Sequence, residues 1–209
     1  MTPRRRISEI IRQGGRFLLL SHTNPDGDAV GSMLGMAHLL NSLGKEATVY
    51  NQSGMPSRFC WLQGSSRVWD TPPREGFDWA IAMDCSDRDR CGKDIQPYLP
   101  ADRTVNIDHH ADNSGFGAIN WVEQSSSVGE MVLLLAKDLE VPPSGAMGEA
   151  LYLAMVTDSG FFSYSNTGGQ TMRLAGEILD QGLDLDDFNA KLQRQWSFNT
   201  VKLHGKALQ

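Results

Sequence analysis

The stretch that decides the fold is Arg16–Asp28, RFLLLSHTNPDGD. A compact apolar run, Phe17 to Leu20, gives way to seven polar or turn-forming residues, His22-Thr23-Asn24-Pro25-Asp26-Gly27-Asp28. A short apolar run between a Gly pair and such a loop reads as a buried strand, Arg16 to Ser21. Behind it, Val30, Met33, Leu34, Ala37 and Leu40 recur at helical spacing across Ala29–Leu43, and Gly44 stops the helix. Strand, polar loop and helix in that order open a parallel α/β unit. Ligands of such units collect at the carboxyl ends of the strands.

Working outward, residues 7–14 read as a short amphipathic helix ended by Gly14-Gly15. Ala47–Tyr50, Trp79–Met83 and Arg103–Ile107 read as further strands. Pro56–Leu62 reads as a short helix, and Ser127–Leu139, Ala146–Thr157, Thr171–Gln181 and Leu185–Leu192 as longer ones. The alternation predicts an α/β fold, an open, mainly parallel sheet with helices on both faces. Gly27, Gly31 and Gly35 form a stripe that lets the first long helix lie close to the sheet or to another helix. The tryptophans, Trp61, Trp69, Trp79, Trp121 and Trp196, are scattered and read as packing or rim residues.

Composition narrows the function. The chain has 209 residues, 40% hydrophobic and 21% charged, with net charge −6. That suits one folded domain, or one domain plus an appendage, and argues against disorder. The three cysteines (Cys60, Cys85, Cys91) form no C-x-x-C pair, so neither a disulfide framework nor a cysteine zinc site is indicated. A reducing, cytoplasmic setting follows. No apolar run approaches the length of a membrane span. The pI near 5.3 argues against long-duplex nucleic acid on a basic face. No Walker motif, no G-x-S-x-G and no dinucleotide fingerprint is present.

Four segments carry acids or histidines. His22, Asp26 and Asp28 follow the first strand. Nitrogen and carboxylate ligands of this kind suit divalent metals, and the H-x-x-x-D-x-D spacing would arise by chance only about 0.03 times in such a chain. The alternative is a polar turn with Asp28 capping the next helix. Asp108-His109-His110 follows the fourth strand, a triplet expected about 0.01 times by chance. Side chains alternate on an extended chain, so one imidazole would face a metal and its neighbour elsewhere. Asp108 would accept the second ring N–H of a ligand histidine. A pair of surface histidines is the alternative. Asp84, after the third strand, reads as a ligand or as a helix cap. Asp158 closes an apolar helix, where it opposes the helix dipole unless a positive charge lies near. A turn before Gly160 is the other reading. Together Asp26, Asp28, Asp84 and Asp158 carry −4, which two divalent cations would balance, with His22 and His109 completing the shells. Such a pair is the clamp used for phosphoryl chemistry. Arg88 and Arg90, just beyond Asp84, would either meet substrate phosphates or form a solvated charge cluster.

These four segments, in this order and at strand or helix ends, resemble the motifs of the DHH phosphoesterase superfamily. They are most similar to its NrnA-like branch of oligoribonuclease and phosphoadenosine-phosphate phosphatase proteins, from about Ile7 to about Leu203. The resemblance implies that His22, Asp26 and Asp84 hold one metal, and that Asp28, Asp84, His109 and Asp158 hold a second, with Asp84 bridging. It implies catalytic roles for Asp84, Asp108 and His110. His110 would stabilise the scissile phosphate and contact substrate, and Asp108 would support a histidine; from its position beyond Asp84, Arg90 is the further candidate for substrate contact. The implied cofactor is two manganese ions, with magnesium or cobalt as substitutes. The implied reaction is attack by a metal-bridging hydroxide on short oligonucleotides or small phosphorylated nucleotides such as 3′-phosphoadenosine 5′-phosphate. Long duplex nucleic acid and membranes are not implied partners, and a homodimer is allowed. Residues 1–200 would be the catalytic domain and 201–209 the start of a connector. The smaller C-terminal domain usual in this family has no counterpart here; the chain is then either truncated or a natural fragment, and if truncated it is expected to bind metal while substrate affinity and turnover are poor. Competing readings are a pyrophosphatase or exopolyphosphatase of the same superfamily, or a non-catalytic metal- or nucleotide-binding module.

Overall fold

The structure, a computed structural model, describes residues 1–73, 76–193 and 198–208. Six strands form one sheet: β1 (Arg16–Leu20), β2 (Glu46–Tyr50), β3 (Val68–Trp69), β4 (Trp79–Met83), β5 (Thr104–Asp108) and β6 (Ile119–Val122). Their order is β3-β2-β1-β4-β5-β6, and every pair is parallel. The α/β expectation holds. β3 and β6 were not anticipated, because two and four residues are too short for a periodic signal. The chain leaves β1 toward β2 on one side and returns to β4 on the other. The loops after β1 and β4 therefore flank the point where strand order reverses, the usual ligand crevice of an open α/β sheet.

Helices α1 (Pro3–Gln13), α2 (Gly27–Ser42) and α3 (Val128–Asp138) share one apolar cluster with Phe17, Leu19, Ile81, Val105 and Ile107. Alternate strand residues Leu18, Leu20, Ala80 and Ala82 point into a second cluster on the other face. It is closed by Cys91, Ile95 and Leu99, around the 3-10 helices Arg88–Cys91 and Gln96–Tyr98. The region read as a helix over Pro56–Leu62 is a single 3-10 turn, Ser57–Phe59.

Helix α4 (Gly145–Asp158) lies outside α2, so α2 is covered on two sides and buries nearly all its length. The glycine stripe makes this possible. A Cβ on Gly31 would sit 2.8 Å from the Ala154 nitrogen and 2.9 Å from its Cβ, while Gly27 abuts the Thr157 side chain. The stripe therefore serves helix-on-helix approach. α5 (Gly169–Asp180), α6 (Leu185–Gln193) and α7 (Phe198–Ala207) complete the described elements. Most of the stretch 201–209, read as a connector, is helical within α7. Trp196 lies outside the described residues. Among those described, no helix is long and apolar enough to cross a membrane.

Candidate metal centre

The four acid-bearing segments converge on one rim. β1 ends beside His22, β4 beside Asp84, and β5 on Asp108, with His109 and His110 following. The N-terminus of α2 supplies Asp26 and Asp28, and the last residue of α4 is Asp158.

Asp84 stands in the middle. Its Oδ2 lies 3.5 Å from His22 Nε2, and its Oδ1 lies 3.6 Å from His109 Nε2. His22 Nε2 is also 3.9 Å from Asp26 Oδ1. His109 Nε2 is 3.9 Å from Asp28 Oδ2 and 3.8 Å from Asp158 Oδ2. Three groupings follow, His22–Asp26–Asp84, Asp28–His109–Asp158 and Asp84–His109–His110, each with its ligand atoms within 4.8 Å of one another; the first two match the expected ligand sets. Asp84 offers one oxygen to each of those two. Two ligands held about 2.1 Å from a common ion stand about 3.0–3.4 Å apart, so modest contraction would close either shell.

The ring tautomers fit that use. His22 Nδ1 donates to the Thr23 carbonyl (2.8 Å) and His109 Nδ1 to the Ser125 carbonyl (3.1 Å). A carbonyl accepts only, so Nδ1 keeps the proton and Nε2 turns its lone pair to the carboxylates. Without a cation these carboxylates draw protons onto the rings. Burial alone lowers the His22 pKa, but the Asp84 hydrogen bond, the Thr23 carbonyl and the Asp84 and Asp26 charges overcome it and raise it to about 9. Burial is likewise outweighed at His109, where Asp84, Asp28 and Ser125 raise the pKa to about 10. Burial would also push Asp84 up, yet His109 and His22 hold it well below the usual carboxylate range. Asp28 goes the other way, well above that range, because burial and the Asp84 charge both favour its proton. Burial and the charges of Asp84 and Asp26 also raise Asp158 against the pull of His109. The site seeks positive charge, and divalent cations would satisfy it.

The local chemistry refines several expectations. The cap of α2 is Asp26, whose Oδ1 accepts the Ala29 N–H at 3.0 Å. Asp28, 1% exposed, instead accepts from Val128 N (2.7 Å), Gly129 N (3.0 Å) and Ser32 Oγ (2.8 Å). The two imidazoles after β5 do not point apart. The strand ends at Asp108, alternation ends with it, and the rings stand edge to face 4.8 Å apart. Asp108 supports His110 (Nδ1 to Oδ1, 2.8 Å), and its other oxygen accepts from Asn113 Nδ2 at 2.6 Å. The Asp108 hydrogen bond raises the His110 pKa. Arg88 is turned away, tied to Gln96 and to the Leu99 carbonyl. Arg90 stays at the rim, its Nη1 on Ser86 Oγ (3.1 Å) and its carbonyl accepting from Thr23 N (2.8 Å).

Sequence reasoning missed the supporting residues. Asn113 braces Asp108, and Asn166 donates to the Asp158 carbonyl at 3.2 Å. Buried Glu130 gathers Ser126 Oγ, Gln170 Nε2 and Thr171 Oγ1, which steadies the loop whose Ser125 carbonyl orients His109. Polar residues of these types are common in loops, and only the three-dimensional arrangement distinguishes them.

Comparison with known proteins bears on the family and the fold. The N-terminal domain of the DHH family matches residues 16–155. A Thermus thermophilus protein named bifunctional oligoribonuclease and PAP phosphatase NrnA is 29% identical over 194 residues, covering 90% of this chain and 57% of that protein. The Bacillus subtilis protein of the same name is 27% identical over 193 residues, covering 90% and 60%. An exopolyphosphatase-related protein from Bacteroides fragilis superposes with a TM-score of 0.90 at 25% identity, over 99% of this chain and 64% of that one. This chain thus spans about 57 to 60% of the length of these two curated relatives.

Proposed function

The chain belongs to the DHH family, and on that premise we propose that it is a manganese-dependent phosphoesterase acting on short oligonucleotides and 3′-phosphoadenosine 5′-phosphate. Residues 1–200 would form its metal-bearing catalytic domain, working in the cytoplasm. The observation that carries this reading is the placement of Asp84, one oxygen facing His22 and the other His109, each with its own further carboxylates. In the proposed assignment His22, Asp26 and Asp84 hold one ion, and Asp28, Asp84, His109 and Asp158 the other. Bound divalent ions would supply Lewis-acid polarisation of phosphoryl oxygens and a lowered pKa for water.

The chain's own residues do the rest. His22 and His109 keep Nδ1–H on carbonyls and so present Nε2 without rotating. Asp28 is anchored by two backbone N–H groups, which fixes its oxygens before any ligand arrives. Asp108 holds the His110 Nδ1–H, which favours the charged imidazole and leaves Nε2–H free to donate to a phosphate oxygen. Arg90 offers a guanidinium at the rim for a second phosphate.

The test is turnover of the manganese-loaded chain on a dinucleotide and on 3′-phosphoadenosine 5′-phosphate, alongside manganese uptake read by electron paramagnetic resonance. Mononucleotide or phosphate release with two ions bound supports the reading. Absence of both uptake and turnover overturns it. Likeness to the exopolyphosphatase-related protein favours polyphosphate as a second substrate class. Hydrolysis of polyphosphate or pyrophosphate without nucleotide turnover would move the assignment there.

A further inference from the structure

We propose that Phe161 is the platform on which the substrate's nucleobase stacks, beside the metal centre. The inference rests on the phosphoesterase reading above and assigns it a base subsite. Beyond Asp158 and Ser159, Gly160, Phe161 and Phe162 adopt φ of 57°, 57° and 61°. Two bulky residues in succession in the left-handed region are an outlier that persists only where surrounding bonds enforce it. They do so here. Phe161 N–H donates to the Val156 carbonyl (2.8 Å), Phe162 N–H to Ser159 Oγ (3.0 Å) and Tyr164 N–H to the Ser159 carbonyl (3.0 Å). The two rings have different fates. Phe162 packs on Tyr152, centroids 6.0 Å apart. Phe161 is 59% exposed.

Phe161 lines a cavity of about 330 Å³ together with Asp26, Asp28, Asp158, Arg58 and Phe59. Three of the proposed metal ligands therefore form one wall of the space that its ring borders. That volume lies at the small end of ligand pockets, suitable for one nucleoside. The Arg58 guanidinium lies over the Phe59 ring, 4.6 Å from its centroid, placing a flat cation on the same cavity. The neighbouring cavity, bordered by His109, Gln124, Ser125, Ser165 and Asn166, offers no ring besides the His109 imidazole, a proposed metal ligand. Of these two cavities, only the first gives a base attached to a phosphate at the carboxylate–histidine cluster a phenyl ring to meet. An exposed phenyl on enforced left-handed backbone is unfavourable for the free protein in both respects. A stacked ligand accounts for it.

The test compares wild type with Phe161→Gly, Phe161→Ala and Phe161→Trp in the manganese-loaded chain. Calorimetry reads the affinities for 3′-phosphoadenosine 5′-phosphate and for β-glycerophosphate, which has no base. Phe161→Gly and Phe161→Ala are expected to lower the ratio of nucleotide to glycerophosphate affinity roughly 5- to 150-fold, the span of base–aromatic stacking. Phe161→Trp restores it. Glycine accepts the left-handed φ, so Phe161→Gly is also expected to raise the Tm by about 2 to 4 °C. A residue placed there for packing would instead lower it. An unchanged affinity ratio in both truncations overturns the stacking role while glycerophosphate binding leaves the metal-site reading standing. Failure of wild type to bind either ligand overturns both.

Discussion

Asp28 and Val128, separated by 100 positions in the chain, are joined by a 2.7 Å hydrogen bond from the Val128 N–H to the Asp28 carboxylate. A proposed metal ligand on α2 is thereby also the hydrogen-bond acceptor at the N-terminus of α3. The same carboxyl group serves the helix end and the cage.

Asp28→Ala is therefore expected to destabilise the metal-free protein. It leaves two buried N–H groups without an acceptor, a loss of about 1–3 kcal/mol for such groups, readable by urea unfolding in chelator. Asp158→Asn is expected not to destabilise the metal-free chain, because it removes a carboxylate crowded by Asp84 and Asp26. Both variants should lose manganese uptake. Equal stability losses would show that Asp28 has no separate structural role.

Asp84 has φ +54°. Asn tolerates that region and Ala does so poorly, so Asp84→Ala should be less stable than Asp84→Asn by about 1 kcal/mol, while both lose the ion pairs to His22 and His109. Turnover should fall more than about 100-fold in both, since changes merely adjoining metal ligands already cost 10- to 100-fold. Retained turnover in Asp84→Asn would remove Asp84 from the centre.

The pKa directions set a pH dependence. His22 and His109 are raised to about 9 and about 10 in the absence of metal. A raised folded-state pKa contributes stability that is complete below the unfolded value, about 6.5 for histidine, and is lost as pH rises through the folded value. The metal-free chain should therefore lose stability from about pH 6.5 toward 9 and 10, and the raised Asp28 and Asp158 act in the same sense. Metal ligation needs neutral rings, so manganese uptake at pH 7 should release protons and strengthen as pH rises. Calorimetry in buffers of different ionisation enthalpy reads that release. Uptake with no proton release would exclude His22 and His109 as ligands.

Asp108→Asn should lower the His110 pKa, because the Asp108 hydrogen bond is the main influence raising it. If His110 acts protonated on the phosphate, the alkaline limb of the kcat/KM profile moves to lower pH in this variant. A limb that stays in place would assign that titration to another group.

Gly31→Ala drives a methyl against Ala154 and the Ala150 carbonyl and should cost about 1–3 kcal/mol, as overpacking does. Gly176 in α5 has nothing within 4 Å of the position its Cβ would take, so Gly176→Ala should add up to about 1 kcal/mol. Opposite signs from two helix glycines, read by thermal unfolding, would separate contact from propensity.

Much of this was legible in the sequence, for physical reasons. Leu18–Leu20 and Trp79–Met83 are runs of apolar residues because both faces of their strands are covered. The acids directly after such runs announce the rim. β3 and β6 are too short to show a revealing periodicity, and the helical spacing of α2, although visible, does not disclose that α4 covers its outer side. The local roles of Asp26 and Asp28 exchange relative to the simplest reading, since the neighbour that claims Asp28 lies in another helix. The bracing by Asn113 and Glu130 depends on contacts that residue type alone does not signal.

The close approach of α2 to α4 also governs when the centre can assemble during synthesis. His22, Asp26 and Asp84 leave the ribosome early, but the helix that carries Asp26 and Asp28 finds its glycine-side neighbour only once residues 145–158 have emerged. A nascent chain therefore has no finished chelating cleft until residues 145–158 have emerged, and cation capture becomes a report that α4 has docked on α2.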